Sequence, residues 1–177
     1  GGDVMGFVLD GLAEKYKESL EEYGVRELVN LSAPDIEFSK QPQAAGEALA
    51  QGVTAFGVTA LLGVSSPTGN DLLARAAMAL KAPLVLDCID VNFQENIVKK
   101  SHFSGKAIAT LEMEATPFVC GIRPNSFDAI PKPVTCAVLN HSLTVSTDDA
   151  ITITSVDKAG SGQKDLTEAN VIITGGR

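Results

Sequence analysis

The chain has no tryptophan, two tyrosines and two histidines in 177 residues. With so little imidazole, a His-rich metal centre or a Ser-His-Asp relay has nothing to draw on. His102 and His141 lack any partner at ligand spacing, and each reads as a surface or loop histidine. Cysteine is equally sparse. Cys88, Cys120 and Cys136 are odd in number, widely spaced and set among apolar neighbours. That pattern suits buried free thiols in a reducing, cytoplasmic compartment and not a disulfide framework. Lys and Arg number 14 against 22 Asp and Glu, giving a net charge of -8. Nucleic acid and anionic membrane surfaces both need clustered cations, and only Lys99-Lys100 comes close. No run is long and apolar enough to cross a bilayer, so no direct membrane insertion is expected. The first residues, GGDVMGFVLDG, carry neither a signal nor a transit pattern.

What is present is a globular composition, 45% hydrophobic and 20% charged, on a chain long enough for one packed domain. Val4 to Leu9 is an apolar run of strand length. Ala13 to Tyr23 carries Tyr16, Leu20 and Tyr23 at helical spacing, with Gly24 as a stop. ELVNL (residues 27–31) reads as a second strand. Residues 43–56 read as a helix, weakened by Gly46 and Gly52. Thr59 to Val64 is a third strand, Asn70 to Lys81 a helix, and Pro83 to Cys88 a fourth strand. Strand and helix in alternation predict a parallel sheet covered on both faces, with right-handed crossovers. The apolar strands 4–9, 59–64 and 83–88 should lie in the sheet interior.

After Cys88 the rhythm changes. IVKKSHF, GKAIATLEM and PFVCGIR are strand-like runs with no room for helices between them. They predict an antiparallel β excursion over roughly residues 89–123. The expected fold is thus a three-layer α/β/α Rossmann-like domain with a mostly parallel sheet. A Pro-rich turn, RPNSFDAIPKP, leads to two further strand candidates, VTCAVLN and AITITSV. DKAGSGQKD is charged and free of large apolar residues, as an exposed linker would be. The chain then runs through a strand-like Val171 to Thr174 into Gly175, Gly176 and Arg177.

Several stretches invite a chemical reading. GVSSPTGNDLLARAA is strand, small polar loop, then helix start, the arrangement by which open α/β sheets hold phosphates. It matches neither GxxxxGK[ST] nor GxGxxG, and Asp71 in the expected first turn would repel a phosphate. A structural βα turn accounts for it. Arg75 suits an ion pair, with Asp87 as one candidate acceptor. Asp87, Asp90 and Glu95 have no ligand spacing and fit solvated or capping roles, and Gly105-Lys106 fits a tight turn. A freestanding nucleotide-binding α/β module is the main alternative. A small enzyme built on Asp71, Arg75 and Asp87 would require an organised base that the sequence does not provide.

The same stretches resemble a known family. SPTGNDLLARAAMALKAPLVLDCIDV is similar to the segment of electron transfer flavoprotein alpha subunits in which a Ser/Gly loop leads into a "DLxPRxAAxL" helix and an "AP…D" strand. HFSGKAIATL resembles that family's "YAGKAIAT", GIRPNSFDA its "VRPTAF", and DLTEANVIITGGR its "LTEARVVVSGGRG". The four lie in family order over residues 59–177, whereas the first 58 residues fit only the general alternation. Ala74 replaces a usual proline, and Lys99-Lys100-Ser101 an Arg-Pro-Ile.

The resemblance implies that residues 1–157 form the α/β domain of such a subunit. It makes residues 158–177 a linker and the first strand-turn of an FAD-binding domain, with a first strand–helix unit expected ahead of Gly1. It further implies a non-catalytic electron carrier paired with a beta subunit. The single FAD of such a heterodimer takes electrons from acyl-CoA or other dehydrogenases and passes them to a quinone oxidoreductase. Gly175, Gly176 and Arg177 would lie against that FAD in the longer protein.

Overall fold

A computed structural model describes residues 3–146 together with 155, 171 and 173–176. The elements run β1 (Val4–Val8), α1 (Ala13–Glu21), β2 (Val25–Ser32), α2 (Pro42–Ala55), β3 (Ala60–Val64), α3 (Pro67–Leu80) and β4 (Leu84–Asn92). Then come β5 (Ile97–His102), β6 (Ala107–Glu112), β7 (Phe118–Ile122) and β8 (Ala137–Ser142). The expected Rossmann-like α/β domain is present, with two sheets among the described residues. One has the order β1-β2-β8, the other β3-β7-β4-β5-β6. Among the described residues β4 with β5 and β5 with β6 pair antiparallel, and the other pairs are parallel.

Helices α2 and α3 lie together over one face. Their shared core joins Val29 and Leu31 of β2, Leu61 of β3 and Val119 of β7 to Ala45, Ala48, Leu49, Leu73 and Ala76 of the two helices. Gly46 explains itself here. A Cβ on it would lie 2.4 Å from the Arg75 Cβ, so only glycine lets the helices approach this closely. Helix α1 covers the opposite face, packing Ala13, Tyr16 and Leu20 with Val8, Leu28 and Cys136. Behind the larger sheet a third cluster gathers Cys88, Val98, Met113, Phe118 and Cys120.

The antiparallel excursion is smaller than expected. PFVCGIR does not follow β6 in an antiparallel meander; β7 inserts between β3 and β4, parallel to both. Phe118, Val119 and Cys120 are buried on both faces, which an interior position rewards and a hairpin edge does not. Strands β1 and β3 also depart from expectation. Each ends its sheet, and only β4 of the three apolar strands is interior.

Of the Val171 to Thr174 strand candidate, Val171, Ile173 and Thr174 are described and none lies in a strand. Val171 is 78% and Ile173 93% exposed. AITITSV and DKAGSGQKD fall outside the described residues, Ser155 excepted.

Candidate functional site

In an open α/β sheet the place to look for a ligand is the carboxyl end of the parallel strands, where small residues open a crevice. Here that place is the end of β3, β7 and β4. Helix α3 begins there three residues earlier than the sequence suggested, because Ser66 caps it and Pro67 fits its first position. Ser66 Oγ accepts from the Gly69 N–H at 3.0 Å. Pro67 has no N–H, and the Asn70 N–H bonds the Ser66 carbonyl at 2.8 Å. That leaves only the Thr68 N–H in the first turn, where a phosphate cradle needs a row of them. Asn70 Oδ1 is buried and lacks a partner among the described residues, but as an acceptor it would repel a phosphate oxygen.

Space is as short as donors. A Cβ on Gly69 would lie 2.0 Å from the Val64 carbonyl oxygen, and one on Gly121 would lie 2.4 Å from Ser65 Oγ. Both glycines are packed against their own chain.

The charges are spent too. Asp71, now in the second turn of α3, pairs with Arg75 one turn on, at 3.0 Å. Arg75 also donates to Gln43 of α2 at 2.9 Å, and its hydrogen bond to Asp71 raises its pKa further. Asp87 does not meet Arg75. It meets Arg123, which donates from Nε to Oδ1 at 2.8 Å and from Nη2 to Oδ2. The forked hydrogen bond from Arg123 holds the Asp87 carboxyl below its ordinary value, ahead of any effect of the neighbouring Lys100.

The pair has an evident structural job. Strand β4 slips register against β7 between Val85 and Cys88, and against β5 between Cys88 and Asp90. Asp87 sits in that irregularity at a φ of 65°, a left-handed conformation that aspartate tolerates better than most side chains. Ser65 Oγ accepts from its N–H at 2.9 Å, and the Arg123 N–H donates to the Cys88 carbonyl at 2.9 Å. Three strands are therefore pinned where β4 changes from parallel to antiparallel pairing. Asp87 stands in the AP…D stretch and Arg123 in the GIRPNSFDA stretch, so two of the family-like motifs meet in one contact.

The remaining candidates are bland. Asp90 pairs with Lys99 at 2.8 Å, and Glu95 accepts from Asn92 at 2.8 Å. Gly105-Lys106 belongs to the β5–β6 turn, where Phe103, Ser104 and Gly105 all take positive φ. The three cysteines are free and buried. Hydrogen bonding to Cys88, then burial, drives the Cys120 thiol far above its ordinary range, so it stays protonated. His102 is exposed, while His141 is in strand β8 and not a loop, edge-on to Phe56 with ring centroids 5.3 Å apart. Among the described residues no group of three or more His, Cys, Asp or Glu could hold a metal ion. No helix there is long and apolar enough to cross a membrane.

The proposed flavin contacts behave differently. Gly175 and Gly176 are exposed, and a Cβ on either would meet nothing within 4 Å. Arg177 lies outside the described residues.

The fold is that of a Rossmann-like α/β domain, with Asp87 paired to Arg123 at the carboxyl ends of β4 and β7. The chain belongs to the electron transfer flavoprotein domain family, matching it over residues 1–171. It is 28% identical over 185 aligned positions to the electron transfer flavoprotein subunit alpha of Bacillus subtilis, covering 99% of this chain and 55% of that protein. It is 27% identical over 128 positions to the subunit of the same name from Syntrophomonas wolfei, covering 71% and 40%. The chain thus spans about half the length, or less, of the curated relatives it matches.

Proposed function

We propose that the chain is the N-terminal scaffold domain of an electron transfer flavoprotein alpha subunit. It works in the cytoplasm, is not itself a catalyst, and holds no nucleotide in its own crevice. The observation that carries this reading is the closed crevice in a chain of this family: Arg123 and Arg75 are both engaged, and one first-turn amide is left.

Residues 1–157 form the scaffold, and residues 158–177 lead into an FAD-binding domain. The crevice residues do not suit FAD, since Gly69 and Gly121 are packed against their own chain and Ser66 and Pro67 leave one first-turn amide. Gly175 and Gly176 do fit, because their backbone stands clear and has no side chain to hold a ligand away. With Arg177 they would hold the FAD of the longer protein, where a guanidinium can fork onto a pyrophosphate or offset the charge of a reduced flavin. FAD, when bound, accepts and releases the electrons. This chain's residues position the flavin domain and a beta subunit against each other. Acyl-CoA or other dehydrogenases are the proposed donors and a quinone oxidoreductase the proposed acceptor.

The test restores the C-terminal domain and the beta subunit and compares wild type with Arg177→Ala. The variant should lose flavin content or shift the flavin potential. Unchanged content and potential would remove Arg177 from the site.

A further inference from the structure

Cys88 and Cys120 stand on neighbouring strands, yet plain alternation would put them on opposite faces of the sheet. On β7, Phe118, Cys120 and Ile122 join the cluster behind the larger sheet, and Val119 joins the core under the helices. On β4, Leu84 and Leu86 pack under the helices and Val85 packs into the cluster, so strict alternation would turn Cys88 toward the helices. The irregularity at Asp87 breaks the alternation, and Cys88 joins Val85 on the cluster side. Cys88 Sγ donates back to the Val85 carbonyl at 3.4 Å, and Val85 is the register partner of Cys120. Cys120 in turn hydrogen-bonds Cys88, the contact that drives its thiol up. One bulge thus brings two buried thiols side by side.

The surroundings decide what such a pair can hold. Among the described residues the side chains of this cluster contain no nitrogen or oxygen; besides carbon and hydrogen they carry three sulfurs, those of Cys88, Cys120 and Met113. Hard ions require oxygen ligands and structural zinc requires four donors, whereas a soft monovalent ion is satisfied by two thiolates. A disulfide fits poorly. Cys88 pairs with Ile122, two positions beyond Cys120, which sets the two Cα atoms roughly 8 Å apart, and a disulfide reaches about 7 Å at most. A metal between the sulfurs adds two bonds of about 2.3 Å each and spans the difference.

Charge completes the site. Two thiolates around a monovalent cation leave one net negative charge, which is costly in an apolar cluster unless it is paired. Lys100 is the register partner of Cys88 on β5, and alternation places it on the same side as Val98, a member of the cluster. Its neighbour Lys99 is held by Asp90, but Lys100 makes no ion pair among the described residues. We propose that Cys88 and Cys120 form a two-thiolate seat for copper(I), with Lys100 as its countercharge. On binding, two S–H bonds break and two S–Cu bonds form. Both protons leave to water, and copper stays in its monovalent state, so no electron moves. Phe93 of the β4–β5 turn, 54% exposed and stacked on Phe118 at 6.5 Å between ring centroids, is the cover the ion has to pass. This site is independent of the flavin reading.

The experiment is anaerobic titration of reduced residues 1–177 with copper(I) held by bicinchoninate, followed by the colour of the chelate. The expected result is transfer of one equivalent to the protein. Cys88→Val and Cys120→Val keep strand propensity and apolar packing, and each should abolish transfer. Cys136→Val, in the cluster under α1, should leave it intact. Lys100→Gln should weaken binding at least about tenfold, and it decides the matter if circular dichroism shows that a valine variant has lost its fold. Copper that stays wholly on the chelator overturns the proposal. So does transfer that survives either strand variant, is unchanged in Lys100→Gln, or is matched in affinity by zinc(II). A Cys88–Cys120 disulfide formed by diamide with the fold intact also overturns it, and would make the pair an oxidation switch.

Discussion

The carboxyl ends of β3, β4 and β7 and the Gly175–Gly176 turn are both glycine-bearing, yet they are opposites. In the first, a Cβ on Gly69 would strike a backbone carbonyl at 2.0 Å; in the second, a Cβ on either glycine meets nothing within 4 Å. Arg123 and Arg75 in the crevice are held by carboxylates of their own chain. Glycines locked in contact have a structural reason to be glycine. Glycines in open space have none among the described residues. The fold points to the crevice as a binding site, and the packing points away from it.

That contrast can be broken by substitution. Gly69→Ala should have the largest effect, about 3 kcal/mol of lost stability by urea unfolding, because a backbone carbonyl cannot rotate aside. A loss under about 0.5 kcal/mol would mean that the crevice has slack to admit a ligand.

Asp87→Asn comes next. Asparagine suits the same left-handed backbone, so the change isolates the charge. Both partners are more than a third exposed, 39% for Arg123 and 44% for Asp87, which keeps the expected loss at pH 7 to about 1 kcal/mol. The sign with pH follows from the lowered carboxyl pKa. Its contribution is complete above about pH 4 and disappears as pH falls through the depressed value. Wild type and variant should therefore converge in stability on acidification below that point. A gap that persists in acid would show the loss to be steric and not ionic.

Gly175→Ala should have the smallest effect, within about 0.5 kcal/mol in residues 1–177. In the flavin-bearing protein the same change should weaken FAD retention. Equal retention would make the turn a linker.

Much of the molecule was legible from residues alone. Periodicity located the alternation from Val4 to Cys88, since amphipathic spacing is a local property. Helix α3 was misplaced at its start because the Ser66-Pro67 cap was read as loop, and with it Asp71 moved out of the first turn. The insertion of β7 between β3 and β4 was not legible, because neighbours in a parallel sheet are chosen by non-local packing. The Asp87–Arg123 contact was missed for the same reason, its partners standing 36 positions apart in the sequence. The one signal available was that each stands in a family-like motif. The apolar runs at β1 and β3 predicted interior strands, but among the described residues each ends its sheet, because neighbours in a sheet are set by non-local pairing that composition does not show.

The central claim is that this domain is a scaffold with a closed crevice, and nucleotide titration tests it most directly. Residues 1–177 are titrated with AMP and FAD by calorimetry, beside the longer alpha subunit reconstituted with a beta subunit. The account predicts no binding tighter than about 1 mM to residues 1–177, roughly 4 kcal/mol, and stoichiometric FAD in the reconstituted protein. Micromolar AMP binding to residues 1–177 that is abolished by Arg123→Ala would contradict it.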